Sequence, residues 1–246
     1  MNLALDIGNT RIKAGLFDKK AEPRETFCVA PGDLGALLRR HDVSRAIACC
    51  TGPVPDALDA DDGHGHRGPE GKTLLLTHHC KLPLTLDYDT PHTLGMDRVA
   101  AACAADAIFH GKPMLVIDAG TCITIDYVGP DGHYKGGAIL PGLRMRFRAL
   151  HDYTHALPLV EFDPQAAPPA ASGRNTTESI KAGVVTATCY ELLGFMGAAL
   201  ARHPDLQAIL TGGDARFLRA YANMGCPLDE HLVLKGLNRI LLMNET

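Results

Sequence analysis

Two short loops hold the residue types needed to handle phosphate. At Asp6-Ile7-Gly8-Asn9-Thr10 an apolar strand breaks on an acid, a glycine and two small polar residues. It then resumes its alternation through Arg11, Ile12 and Lys13. At Asp118-Ala119-Gly120-Thr121 the same form recurs: an acid closing an apolar run, one residue, a glycine and a small hydroxyl. A glycine lets such a turn bring backbone N–H groups close to phosphate oxygens. Asn9 and Thr10 add neutral hydrogen-bond partners, and Lys13 adds a positive charge on the following strand. An aspartate beside the loop would repel phosphate unless a cation lies between them. Asp6 therefore suits the Mg²⁺ side of a site, directly or through water, because magnesium usually keeps several waters. Either loop alone is equally an Asx-type hairpin. Two loops of one form, with Thr211-Gly212-Gly213 following a later apolar strand, point to a nucleotide.

The elements that must position these loops read as a repeat. The first part predicts a strand, a hairpin and a strand, then the polar connection "APGD" into a short helix "LGALLRRH" and a buried strand "RAIACCTG". Short strands are expected at "TLLLTH" and "LTLDY", and an alanine-rich helix over Leu94–Phe109. The second part restarts with strand, tight loop and strand from Met114, and a turn at Gly129-Pro130-Asp131-Gly132. Helices are expected at "LRMRFRALHDYT" and from Thr176 to His203, then a strand, a Gly-Gly turn and a helix at "QAILTGGDARFLRAY". Asp6 corresponds to Asp118 and Gly8 to Gly120. Two halves are expected, 1–112 and 113–246.

Composition limits the function classes. The chain has 246 residues and a formal net charge of −4, which gives no general reason to bind nucleic acid. No apolar run is read as approaching membrane-spanning length, and Met1 leads directly into a strand pattern, so a cytoplasmic protein is expected. The 8 cysteines show no CxxC pattern and sit mostly in apolar contexts, as small reduced core residues do. The breaker-rich stretch over 55–72 is expected to be an exposed loop or a helix turn with an insertion, its "GHGH" at 63–66 being read as surface rather than as metal ligands. "GHRGPEGKT" at 65–73 imitates a P-loop but fails it. Five residues separate Gly65 from Gly71 where the motif needs four, and a strand-like run follows in place of a helix.

The motifs together carry a resemblance. "DIGNTRIKAGLFD" at 6–18, "YDTPHTLGMDR" at 88–98, "DAGTCITIDYV" at 118–128, "GGAILPGL" at 136–143, "GRNTTESIKAG" at 173–183 and "LTGGDA" at 210–215 occur in the order found in type III pantothenate kinases. That family lies in the superfamily of acetate and sugar kinases, heat-shock chaperones and actin. The resemblance implies an α/β chain with a duplicated ribonuclease H-like (actin-like ATPase) fold, two mixed-sheet halves and a cleft between them. It implies transfer of the γ-phosphoryl of ATP to the terminal hydroxyl of pantothenate, the first step toward coenzyme A. By similarity Asp6, Ile7, Gly8, Asn9, Thr10, Arg11, Ile12 and Lys13 form the first ATP loop, with Asp6 on the Mg²⁺ side. Thr121, Gly212 and Gly213 would also bind ATP. Asp118 would hold a monovalent cation, K⁺ or NH₄⁺. Tyr88, Gly95, Met96, Asp97, Arg98 and Thr176 would bind pantothenate, with Asp97 as general base. Family members are dimers with pantothenate bound where subunits meet, so a homodimer is expected.

Two rival readings go with this one. A kinase of the same superfamily could act on another small hydroxy acid or sugar; the "LGMDR" box argues against that. A regulatory protein of this fold, accessory to transcription, should have lost a loop acid or glycine, yet Asp6, Gly8, Asp97, Asp118 and Gly120 are all present. No helix-turn-helix pattern or basic tract supports direct nucleic-acid binding.

Overall fold

A run of apolar residues buried on both faces makes the first strand central. In β1 (Asn2–Ile7), Leu3, Ala4 and Leu5 are fully buried, so both faces are covered. β2 (Ile12–Phe17) folds back antiparallel on β1, and β3 (Glu25–Val29) on β2. After the short helix α1 (Leu34–Leu38), β4 (Arg45–Cys50) pairs in parallel with the other edge of β1. β5 (His66–Arg67) and β6 (Thr73–Leu75) extend the sheet, whose order is β3-β2-β1-β4-β6-β5. The computed structural model describes residues 1–8, 11–18, 20–40, 42–58, 72–244 and, for its backbone, 66–67. Asn9, Thr10 and most of the "GHGH" and P-loop-like stretch lie outside the described residues.

The second sheet repeats the scheme. β7 (Thr85–Leu86) pairs in parallel with the start of β10 at His133 and Tyr134. β8 (Met114–Ala119) and β9 (Cys122–Val128) form an antiparallel hairpin, β10 (His133–Pro141) lies beyond β9, and β11 (Gln207–Thr211) runs parallel to β8. The order is β11-β8-β9-β10-β7. Read from the hairpin outward, β3-β2-β1-β4 and β10-β9-β8-β11 are the same arrangement, a mixed ribonuclease H-like sheet made twice.

The helices are α2 (Met96–Phe109), α3 (Leu143–Asp152), α4 (Thr176–Arg202), α5 (Ala215–Tyr221) and α6 (Leu232–Met243). The helix expected from Leu94 starts at Met96, because a single 3₁₀ turn at Pro91–Thr93 precedes it and Leu94 and Gly95 stay extended. Asn175 caps α4: its side chain accepts from the Glu178 N–H at 2.9 Å while the Glu178 carboxylate reaches back to the Arg174 N–H.

The chain divides into two units. The first comprises Met1–Gly111, Gly132–Lys135 and the chain from His231 onward; the second comprises Lys112–Asp131 and Gly136–Glu230. The first unit thus differs from a single cut after residue 112, because α6 returns to it. The reason is packing. Along α2, Val99 and Ala100–Ala105 are buried, and their small side chains let another helix approach closely. Gly236 of α6 sits where a Cβ would overlap the Ala100 carbonyl. Arg239 then pairs with the buried Asp106 at 2.9 Å and donates to the Cys103 carbonyl, and Asn238 meets Asn2 at 3.1 Å.

In the second unit, α4 packs through Ile180, Val184, Val185, Cys189 and Leu192 against a core that includes Leu115, Ile117 and Ile125. The expectation that no apolar run reaches membrane-spanning length does not hold for α4. Its 27 residues are long and apolar enough by length and composition, with 28 % of the apolar stretch buried. Interspersed Thr, Gly and single charges such as Glu191 break the run without making the helix polar.

Candidate functional site

In the first unit the strand register gathers the charged groups. Asp6, next to last in β1, lies opposite Lys13 on β2 and opposite Cys49 on β4. The loop between them is tight: the Gly8 N–H donates to the Arg11 carbonyl at 3.2 Å. Ile7 and Ile12 are buried at its two ends, and Arg11 is exposed. Asn9 and Thr10 fall outside the described residues. Cys49, fully buried, donates its thiol to Asp6 Oδ1 at 3.7 Å. Nothing in the local pattern of "AIACC" distinguishes this thiol from an ordinary core cysteine; only the pairing of β4 with β1 places it there.

Asp97 stands in the first turn of α2, after Gly95, where the helix dipole favours a carboxylate. A Cβ at Gly95 would lie 2.6 Å from Asp97 Oδ1, so the glycine leaves room for the acid to fold back over the helix start. Met96 and Arg98 are buried beside it. Burial raises the Asp6 pKa above 3.8, and the negative charge of Asp97 raises it further; Lys13, the Cys49 thiol and Arg11 oppose the shift. The same two carboxylates, after burial, push the Cys49 thiol well up, so it stays a protonated donor. Asp97 is therefore near enough for its charge to act on Asp6. Tyr88 lies beyond β7, its ring 6.2 Å from that of Tyr134, and Lys135 anchors the neighbouring Asp87 at 2.7 Å.

In the second unit the two remaining loops converge. Asp118, next to last in β8, is in register with Thr211 at the end of β11. The Gly120 N–H donates to the Cys122 carbonyl at 2.9 Å, closing the second loop as the Gly8 bond closes the first. Gly212 has φ +96°, and a Cβ there would strike Asp118 Oδ1 and the Ala119 carbonyl. Only glycine fits this approach of the third loop to the second. Thr121 and Gly213 are exposed at the rim, and the Thr121 carbonyl accepts from the Gly142 N–H at 3.1 Å. Asp118, Thr121, Gly212 and Gly213 are thus brought together. Thr176 is not among them: it opens α4, on a largely apolar cavity of about 730 Å³ that Arg146, Tyr153, Leu157 and Ile180 also line.

Magnesium sites commonly use one or two carboxylates completed by substrate phosphates and water. The buried carboxylate of Asp6 suits that donor set, since a cation would offset the cost of burying its charge and the repulsion from Asp97. Among the described residues no group of three or more His, Cys, Asp or Glu forms a protein-only metal cage.

A type III pantothenate kinase from Bacteroides fragilis is 40% identical over 246 residues, covering 99% of this chain and 98% of that one. Among solved structures, a Campylobacter jejuni protein assigned to the Baf family of transcriptional activators shares the fold at TM-score 0.64 and 21% identity, with 98% of each chain covered. The activator of 2-hydroxyisocaproyl-CoA dehydratase from Clostridium difficile, with bound ADPNP, does so at TM-score 0.53 and 12% identity, covering 98% of this chain and 96% of that one. The type III pantothenate kinase family model matches residues 2–197, and the chain belongs to that family.

Proposed function

We propose that Asp97 is the general base in the reaction this kinase catalyses, the ATP-dependent phosphorylation of pantothenate to 4′-phosphopantothenate. What supports the assignment is the place of Asp97 in the first turn of α2, folded back over Gly95 and near enough for its charge to act on the buried Asp6. One carboxylate then lies beside the first loop and a second near it, suited to serve the acceptor. Phosphoryl transfer asks the protein mainly to position groups and stabilise charge. Asp97 accepts the proton of the attacking hydroxyl, while the backbone N–H groups of the first loop and Lys13 hold phosphate oxygens. Asp6 would hold magnesium directly or through water, and the ion, when bound, would supply charge to offset that of the phosphates. Arg98 pairs with the carboxylate of pantothenate or orients the site, and Gly95, Met96 and Tyr88 complete the acceptor side; the family resemblance alone assigns Thr176 a hydrogen bond to the substrate.

In the second unit Thr121, Gly212 and Gly213 bind ATP. Asp118 holds a monovalent cation, K⁺ or NH₄⁺; its carboxylate and the loop carbonyls around Gly212 are hard oxygen donors of the kind such ions take. A coupled assay with ATP, Mg²⁺ and pantothenate tests the whole reading. Turnover is expected with potassium and a loss of most of it with sodium alone. Equal rates in the two salts would remove the cation role of Asp118. A sugar phosphorylated while pantothenate stays inert would overturn the acceptor assignment.

The enzyme acts as a homodimer in this reading. On one face of α4 the side chains Tyr190, Leu193 and Leu200 are exposed, Tyr190 at 68 %, and Gly183, Gly194 and Gly197 leave open space along it. An apolar face of this extent suits burial against a second copy. Sedimentation equilibrium is expected to return the mass of two chains, and a single-chain mass would refute the dimer.

A further inference from the structure

The third loop carries an ion pair that none of these roles uses. Asp214, directly after Gly212-Gly213, is only 4 % exposed. Nη1 of Arg144, on the first turn of α3, reaches both of its oxygens, at 2.9 and 3.1 Å. The guanidinium is also held from another side, over the ring of Phe162 at 5.1 Å. That ring is itself fixed, stacked on Phe147 at 6.0 Å and meeting the edge of Phe217 at 5.1 Å. A planar cation between a carboxylate and an aromatic face is an arrangement for arginine rather than lysine.

The backbone of Asp214 is tied as well. Its N–H donates to the Ala119 carbonyl at 2.9 Å, one residue beyond Asp118. The main chain of Asp214 thus fastens the third loop to the end of β8, and its side chain fastens it to α3. Gly212, at φ +96° and against Asp118, lies between these two attachments. Without Arg144 the Asp214 carboxylate would be a buried, uncompensated charge. It would pull the loop toward solvent and add negative charge where a polyanion is to bind.

We propose that Arg144 is a positioning residue for the nucleotide: acting through Asp214, it holds the Gly212-Gly213 loop against β8 and neutralises the carboxylate there. This rests on the reading of Gly212-Gly213 as a nucleotide loop. Arg144→Ala is expected to raise the KM for ATP about tenfold, the scale of one charge-assisted hydrogen bond. The kcat and the KM for pantothenate should stay near the parent values, and Arg144→Lys, which keeps the charge but not the fork, should restore part of the loss. Asp214→Asn should raise the KM for ATP too, and the double variant should be no worse than the poorer single one. An unchanged KM for ATP in a folded Arg144→Ala protein, or additive losses in the double variant, would overturn the proposal. If Arg144→Ala does not fold, the Arg144→Lys and Asp214→Asn proteins carry the same comparison. Hydrogen exchange on the parent protein tests the underlying reading separately. A non-hydrolysable ATP analogue with Mg²⁺ should protect the amides of residues 211–215. No protection would remove the nucleotide loop itself, whereas protection with an unmoved KM would remove only the role of Arg144.

Discussion

Asp97→Asn is expected to lower kcat for pantothenate phosphorylation by about 10²–10⁴-fold, the usual worth of a general base. ATP binding should survive. The amide keeps the size of the side chain and its place in the first turn of α2, but cannot take the hydroxyl proton. Isothermal titration with ATP and a steady-state assay on the same preparation separate these effects. Retained turnover within about tenfold of the parent would refute the base assignment. The substitution should also leave a mark on its neighbour. Since the Asp97 charge raises the Asp6 pKa, removing it should move the Asp6 carboxyl titration to lower pH. Carboxyl-detected NMR reads that directly. A loss of activity with no movement at Asp6 would instead mean that the two groups do not sense each other in solution.

Asp6→Asn should make the protein more stable and nearly inactive. In the fold the Asp6 pKa is raised, first by burial and then by Asp97, so the native state holds that proton more tightly than the unfolded chain does. The stability this contributes is complete below the unfolded value of about 3.8 and is lost as pH rises through the folded value. Above the folded pKa the parent carries an ionised Asp6 at a cost, which the neutral amide removes. The variant should melt above the parent on the alkaline side of that value, and the gap should shrink as the pH is lowered through it. With Asp6 in the proposed role on the magnesium side, activity should fall by about 10²-fold or more. A variant that melts lower than the parent across the whole pH range would contradict the electrostatic account. The exchange of stability for function is common at active sites.

The parts legible in the sequence are those written locally. Asp6, Gly8, Asp118, Gly120 and the Gly212-Gly213 pair stand at strand ends that alternation marks, and the order of strands and helices follows the same periodicity. Asp97 was legible only through its motif, since an acid in the first turn of a helix is ordinary. What stayed hidden depends on long-range pairing. Cys49 becomes a partner of Asp6 only because β4 lies beside β1. Arg144 reads as one cation among several in "LRMRFR" until α3 brings it to Asp214, and the Asp214 in "LTGGDA" reads as a turn residue. The exposure of Tyr190 and Leu193 was equally hidden, because an apolar helix looks the same whether it faces a core or a partner. The destination of α6 was the largest omission: its periodicity gives a helix with one apolar face, and the alanines that receive it lie far earlier in the chain.

That return of α6 has a consequence for how the protein is made. The first unit is discontinuous, and the face of α2 that bears Ala100 and Cys103 is covered by a helix that leaves the ribosome only after the second unit. The strands of the first sheet emerge early, while the surface that completes their helical layer arrives once that whole unit has been made. Until then the nascent chain carries α2 without its cover. A truncation that removes α6 would leave the first unit permanently in that state.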